Sequence, residues 1–440
     1  MKVFRLVLLV LVLSLAGYGL SYLYRYMQVG AGYNAKVTCS CTFVSGFPMD
    51  SIKKYELHTV PYGKEVIDRE AGTVTASLFG IVSKTAAYRP GLGCTLLNDI
   101  TLAELQAQPQ VSPATGGPDL LRDTTFSGIH YDDLTAALDR AFAAPRDSAV
   151  PRAVVVLYQG RVVAERYAPG ISRETPLIGW SMTKSVTQAM VGLLVQDGKL
   201  DPAAPAPVSE WQADGRREIT LDHLLRMSSG LRFQESYDKV ADAVIMLTQA
   251  HGAGKYALDQ PLEVPPGSRF SYSSGTTNIL QEIIRRQVGD DAAYFRLPHE
   301  RLFRPIGMYS AVLEPDASGT YVGSSYMYAT ARDWARFGQL YLQDGKWDGV
   351  QILPAGWAAY AASLTEPSLR GEALYGAQFW LRLRNQGLPP DTYNASGFEG
   401  QDVVIIPSRQ LVIVRMGCDP RESYTSDWLF RAIVSAIPAP

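Results

Sequence analysis

At 440 residues with 47% apolar side chains, the chain is long enough for roughly two or three domains and can bury a sizeable core. A formal net charge of −2 carries no electrostatic footprint for nucleic acid. Four cysteines without paired Cys-x-x-Cys spacing and five scattered histidines offer no metal-site pattern.

The N-terminus reads unlike everything after it. Lys2 and Arg5 precede an apolar run, and the nineteen residues 6–24 carry no charge until Arg25. A bilayer is spanned by roughly 17–25 such residues, and a basic N-terminus stays in the cytoplasm. Residues 1–28 are therefore expected to anchor the chain in lipid through residues 6–24, leaving the rest on the periplasmic side. The other reading is a signal peptide cut near Leu15-Ala16-Gly17, which would release the chain. The missing Ala-x-Ala site and the length of the apolar run favour the anchor, and both readings export the rest of the chain.

Residues 29–118 form a leading region. Weak alternation predicts strands over Val37–Val44 and Val74–Val82, hence a small β-rich accessory unit or cap. Gln108–Asp119, rich in Pro, Gly, Ser and Thr, reads as a linker to a main unit over 119–440. Export permits a disulfide. Cys39 and Cys41 would share one face of the predicted strand and so are not expected to pair with each other. Cys94 is the expected partner of one of them, and Cys418 stays free.

The main unit opens with a helix over Tyr131–Phe142 and a hairpin of 153–158 and 162–167. Next comes Trp180-Ser181-Met182-Thr183-Lys184, at the head of an apolar helical run that stops at Asp197-Gly198. A Ser-x-x-Lys match is expected about once by chance in a chain of this size. Ser51–Lys54 and Ser236–Lys239 also match, but both lie in polar segments. Only Ser181 and Lys184 share the first turn of a buried helix, where free N–H groups and the helix dipole favour a developing negative charge. A desolvated lysine there loses its proton more readily and can activate the serine.

Further along, Ile219–Gly230 is a short helix in which His223 is structural. Pro265-Pro266-Gly267 is a turn leading to Phe270-Ser271-Tyr272-Ser273-Ser274-Gly275 and a helix over Asn278–Val288. Ala329–Leu342 is an amphipathic helix. Phe379–Leu383, Val403–Ile406 and Leu411–Met416 read as closing strands, and Asp427–Ile437 as a final helix. There is no Gly-x-Ser-x-Gly elbow and no His-Glu-x-x-His zinc helix. His251-Gly252-Ala253-Gly254-Lys255 is not a phosphate loop.

In order, Ser181-Met-Thr-Lys184, Tyr272-Ser-Ser274 and Gly397-Phe398-Glu399-Gly400-Gln401 resemble the motifs of the serine β-lactamase and penicillin-binding-protein superfamily. They are most similar to its class C-like branch of esterases, D-aminopeptidases and 6-aminohexanoate-dimer hydrolases. The resemblance runs from about Ser127 to the C-terminus. It implies an α/β (α+β) fold, an antiparallel sheet flanked by helices with a helical subdomain, and hydrolysis of a small-molecule amide or ester without a cofactor. Carried over by position, Ser181 is the nucleophile and Lys184 takes up its proton. Tyr272 protonates the leaving group and then activates water, and the N–H groups of Ser181 and Gln401 bind the oxyanion. Ser274, Phe398, Glu399 and Gly400 would contact substrate.

Two departures from the family pattern bear on specificity. Ser274 replaces the usual asparagine, and Phe398 replaces the usual cation or histidine that holds a carboxylate. Glu399, if it faces the cleft, would add to the bias against anionic substrates. The implied alternatives are a peptidoglycan D,D-peptidase or β-lactamase and, from another class, a non-catalytic cell-envelope binding protein. The intact Ser181, Lys184 and Tyr272 set argues against the last.

Overall fold

The structure, a computed structural model, describes residues 2–112, 117, 121–143, 149–369, 374–419 and 426–440. The expected linker Gln108–Asp119 lies in part outside the described residues. A single helix, α1 (Lys2–Phe43), begins the chain and is long and apolar enough to cross a membrane. Residues 4–25 of it are exposed, and from Met27 onward it is largely buried against the rest of the protein.

The strand expected over Val37–Val44 is therefore helical. This stretch is covered on more than one side: Ala35 and Cys39 face a small sheet, while Val37 and Cys41 face the main core. A helix covered on several sides shows no single polar face, so its residues carry no clear helical period. That sheet runs β1 (Gly63–Asp68), β2 (Thr73–Leu78), β3 (Val82–Arg89), β4 (Gly93–Leu96), all antiparallel. Cys39 and Cys94 form a disulfide between α1 and β4, leaving Cys41 and Cys418 free and buried. A buried Lys36–Glu314 ion pair ties α1 to the later chain, and Glu314 also accepts from Ser40 Oγ at 2.8 Å and Cys94 N at 2.6 Å.

The main unit is built on a second antiparallel sheet. After α2 (Tyr131–Phe142), β5 (Pro151–Tyr158) and β6 (Arg161–Tyr167) form the expected hairpin. The middle is helical: α3 (Thr183–Gln196), α4 (Leu221–Leu225), α5 (Asp242–Thr248), α6 (Ser274–Val288) and α7 (Ala331–Leu342). The chain then closes with β7 (Tyr393–Gly397), β8 (Gln401–Ile406), β9 (Leu411–Gly417) and α8 (Asp427–Ala436), giving the sheet order β7-β8-β9-β5-β6. Both faces are covered. Along β5, Val155 and Leu157 enter the core shared with α3 and α7, while Val154 and Val156 enter the core with α2 and α8. Such strands read as continuous apolar runs.

The strand expected over Phe379–Leu383 is not one. Trp380 makes only isolated bridges to Tyr375 and Asn394, and Arg382–Gln386 coils into a 3₁₀ turn. The sheet takes Tyr393–Gly397 instead, a stretch of weak strand propensity held by its partner β8.

Candidate active site

Ser181 lies in a 3₁₀ turn, Trp180–Met182, that leads directly into α3. Trp180 takes φ +45°, a conformation that costs energy for a bulky side chain. Its ring is held on several sides, stacked on Tyr33 (6.5 Å), beside Tyr326 (6.2 Å) and edge-on to Phe398 (6.0 Å). One turn later, Lys184 is 1% exposed. Its Nζ donates to Ser181 Oγ at 2.9 Å, Ser274 Oγ at 3.1 Å and the Ser324 carbonyl at 2.9 Å. Burial lowers its pKa to about 8, with the Glu235 charge acting the other way.

The Tyr272 ring lies under Lys184 Nζ, 4.9 Å from the ring centre. Trp380 (5.1 Å) and Tyr375 (5.9 Å) wall the ring in. Burial, and then the Glu235 charge, push the phenol well above its ordinary value, so at neutral pH it carries its proton. The helix expected from Asn278 begins earlier, at Ser274, with Ser273 as its cap accepting from Thr276 N at 3.1 Å. Ser274 thus reaches Lys184 despite being shorter than asparagine.

Ser274 is held by a residue the sequence reading did not single out. Glu235 accepts from Ser274 N at 2.7 Å and from Ser274 Oγ at 2.6 Å, a carboxylate on the free N–H groups of α6. Tyr237 donates to the same carboxylate at 2.7 Å and stacks on Phe398 at 6.3 Å. Both belong to the polar segment around Ser236–Lys239. A local signal was available only as an acidic and an aromatic residue two apart in a loop, which is too common to notice.

The turn joining β7 to β8 contains Phe398, Glu399 and Gly400, with Gly397 paired to Gln401 across it. A Cβ on Gly397 would lie 2.2 Å from the Gly179 carbonyl and 3.1 Å from Ser181 N, so only glycine lets this strand end abut the nucleophile turn. Gly400 has φ +81°, and a Cβ there would strike Arg415 and Asp419. Backbone conformation and this packing both require glycine at position 400, which lines the same cavity as Ser181.

The Glu399 side chain is 2% exposed. It accepts from Trp180 Nε1 at 3.3 Å and lies 3.5 Å from His58 Nε2. Burial and the nearby Glu56 raise its pKa well above the ordinary carboxylate value, and the residue contributes to the cavity lining. Donor atoms of His58, Glu399 and Cys418 come within 4.8 Å of one another. Burial raises the Cys418 thiol as well, and that thiol donates to the Tyr55 carbonyl at 2.9 Å. His223 is structural as expected: its ring Nδ1 accepts the Thr220 N–H at 3.2 Å and caps α4.

These elements enclose a cavity of about 610 Å³ lined by Ser181, Tyr272, Glu235, Tyr237 and Phe398, among others. Arg382 also lines it, donating to Ser396 Oγ at 3.2 Å, a cation that the sequence reading did not place there.

A family model described as Beta-lactamase matches residues 138–434, more than half of the chain. The chain is 24% identical over 292 residues to the 6-aminohexanoate-dimer hydrolase of Paenarthrobacter ureafaciens, covering 61% of this chain and 72% of that protein. A Bacillus anthracis structure assigned as a 6-aminohexanoate-dimer hydrolase shares the fold with a TM-score of 0.60 at 23% identity, over 75% of this chain and 91% of that one. A family VIII carboxylesterase does so with a TM-score of 0.55 at 16% identity, over 71% and 98%. Matched along most of its main unit, the chain belongs to the beta-lactamase family and is a serine hydrolase.

Proposed function

We propose that this hydrolase cleaves a neutral amide or ester through an acyl-enzyme on Ser181. The observation that carries this is the contact of Lys184 Nζ with Ser181 Oγ at 2.9 Å, by an amine whose pKa burial lowers to about 8. In the neutral amine form Lys184 takes the Ser181 proton as Oγ bonds to the substrate carbonyl carbon. The oxyanion that forms is held by the N–H groups of Ser181 and Gln401. When the carbon–nitrogen or carbon–oxygen bond breaks, Tyr272 gives its proton to the leaving group and recovers one from Lys184. Water then attacks the acyl group, losing a proton to the same pair, which returns it to Ser181 Oγ as the acyl–oxygen bond breaks.

Neutral substrates are favoured by Phe398, which puts an aromatic face where relatives of this kind carry a cation. Arg382 in the same cavity supports the second reading, a substrate with a carboxylate such as a β-lactam or a peptidoglycan peptide. We also read α1 as an uncleaved anchor that leaves the hydrolase outside the cytoplasm. What supports this is the unbroken passage of the helix from its exposed apolar stretch into the protein.

The test is covalent labelling by a fluorophosphonate probe, with turnover of a neutral ester alongside. Ser181→Ala should remove both, lowering turnover by roughly a thousandfold or more. Ser51→Ala and Ser236→Ala should leave both near wild type. Labelling that survives Ser181→Ala would mean another nucleophile.

A further inference from the structure

We propose that the active-site cavity opens onto the membrane–water interface and takes its substrate from there, an amphiphilic ester or amide whose apolar chain lies along α1. This rests on the hydrolase and anchor readings above and names the substrate class they leave open.

The first observation is which residues line the cavity. One wall is α1 itself, through Tyr26, Val29, Gly30 and Tyr33. Tyr26 is 48% exposed and Met27 only 7%, so the cavity wall begins at the residue where the helix enters the protein. Tyr33, at the other end, stacks on Trp180 beside the nucleophile. Seven residues of helix separate Tyr33 from Tyr26, a rise of about 10 Å. An apolar chain attached to a carbonyl at Ser181 therefore has a short path to the end of the candidate span. Val244 and Leu247 of α5 line the same cavity. The lining also includes polar groups such as Arg382 and Ser396, so one enclosure offers apolar and polar surface together.

The second observation is independent of the cavity. Phe79 and Ile81, in the tight turn between β2 and β3, are 69% and 64% exposed. Tyr62, 73% exposed, stacks on Phe79 at 6.5 Å. The residues flanking this turn, Leu78 and Val82, pack on Met27 and Ala31 of α1. The exposed apolar groups thus sit at the level where the helix leaves the protein. Exposed apolar groups clustered in this way mark an interaction surface. Tyr22, Tyr24 and Tyr26 flank Arg25 at the same level, the composition of an interfacial belt. The Tyr22 hydroxyl accepts from Val240 N at 3.5 Å, next to Lys239 of the cavity lining. A span that continues directly into this rim selects the bilayer as its occupant, over a protein partner.

The experiment uses the full chain reconstituted in phosphatidylcholine vesicles and a series of p-nitrophenyl esters from acetate to dodecanoate. Each methylene buried in the cavity should raise kcat/KM by about fourfold until the cavity is filled. Val29→Trp should lower the octanoate-to-acetate ratio at least tenfold. Val244→Trp, on α5, should do the same, so that one misfolded variant does not decide the outcome. Phe79→Ser combined with Ile81→Ser should lower turnover of vesicle-borne dodecanoate relative to soluble acetate by fivefold or more. Ser181 labelling and acetate hydrolysis with a flat chain-length series would overturn the amphiphile proposal while leaving the hydrolase reading standing. Absence of both labelling and acetate hydrolysis would overturn the hydrolase reading, and this proposal with it.

Discussion

Glu235 grips Ser274 twice, accepting its backbone N–H at 2.7 Å and its hydroxyl at 2.6 Å, while Lys184 reaches the same hydroxyl from the other side at 3.1 Å. A loop carboxylate thereby positions the start of α6 and adds its charge to the burial that shifts Lys184 and Tyr272.

The pH profile follows from this arrangement. Lys184 acts as a base in its neutral form, and its pKa is about 8. The kcat/KM for a neutral ester should therefore rise with pH to a plateau above 8, standing about a hundredfold below it at pH 6. The Glu235 charge raises the pKa of Lys184 and of Tyr272. Glu235→Gln should accordingly move the rising limb to lower pH, with a loss of roughly tenfold at the plateau from the weakened hold on Ser274. A limb that stays put or moves up would detach Glu235 from the base. The same shift has a stability consequence. A lysine whose folded pKa lies below its unfolded value binds fewer protons when folded, so stability should rise with pH between about 8 and 10.

Specificity should respond at Phe398. It lies between Tyr237 and Trp180 on the cavity wall and presents no charge. Phe398→Lys should raise kcat/KM for a cephalosporin relative to a neutral ester by about tenfold or more. Efficient cephalosporin hydrolysis by the wild type would transfer the carboxylate-holding role to Arg382, and Arg382→Gln would then remove that activity selectively.

The Cys39–Cys94 bridge closes a separation of 55 residues and joins α1 to the small sheet. Replacing both cysteines by serine should lower stability by about 2–4 kcal/mol. The same fall in Tm should follow from reductant on the wild type and be absent in the double variant. Calorimetry of the detergent-solubilised chain reads both.

Topology is tested by fusion. A C-terminal reporter active only after export should be active, and a cytoplasm-only reporter should be silent. The reverse result would overturn the orientation of α1.

The amino-acid order by itself determined which serine, lysine and tyrosine meet. Ser181 and Lys184 are neighbours on one helical turn, a relation fixed by backbone geometry, and Tyr272 follows a turn that local residues specify. The β5–β6 hairpin, the helices of the main unit and the apolar N-terminus were legible for the same reason, since period and punctuation are local. What only the tertiary structure decided is everything set by neighbours distant in sequence. Val37–Val44 became helix because two cores claim its opposite faces, and Tyr393–Gly397 became strand because β8 was there to pair with it. Glu399 meets Trp180 and His58 because the turn folds its side chain inward. Glu235 entered the site because a loop crosses the start of α6. The wall that α1 contributes to the cavity depends on one helix being both an exposed apolar stretch and part of the core, and side-chain burial of that kind is a property of packing, invisible to any pattern within a single segment.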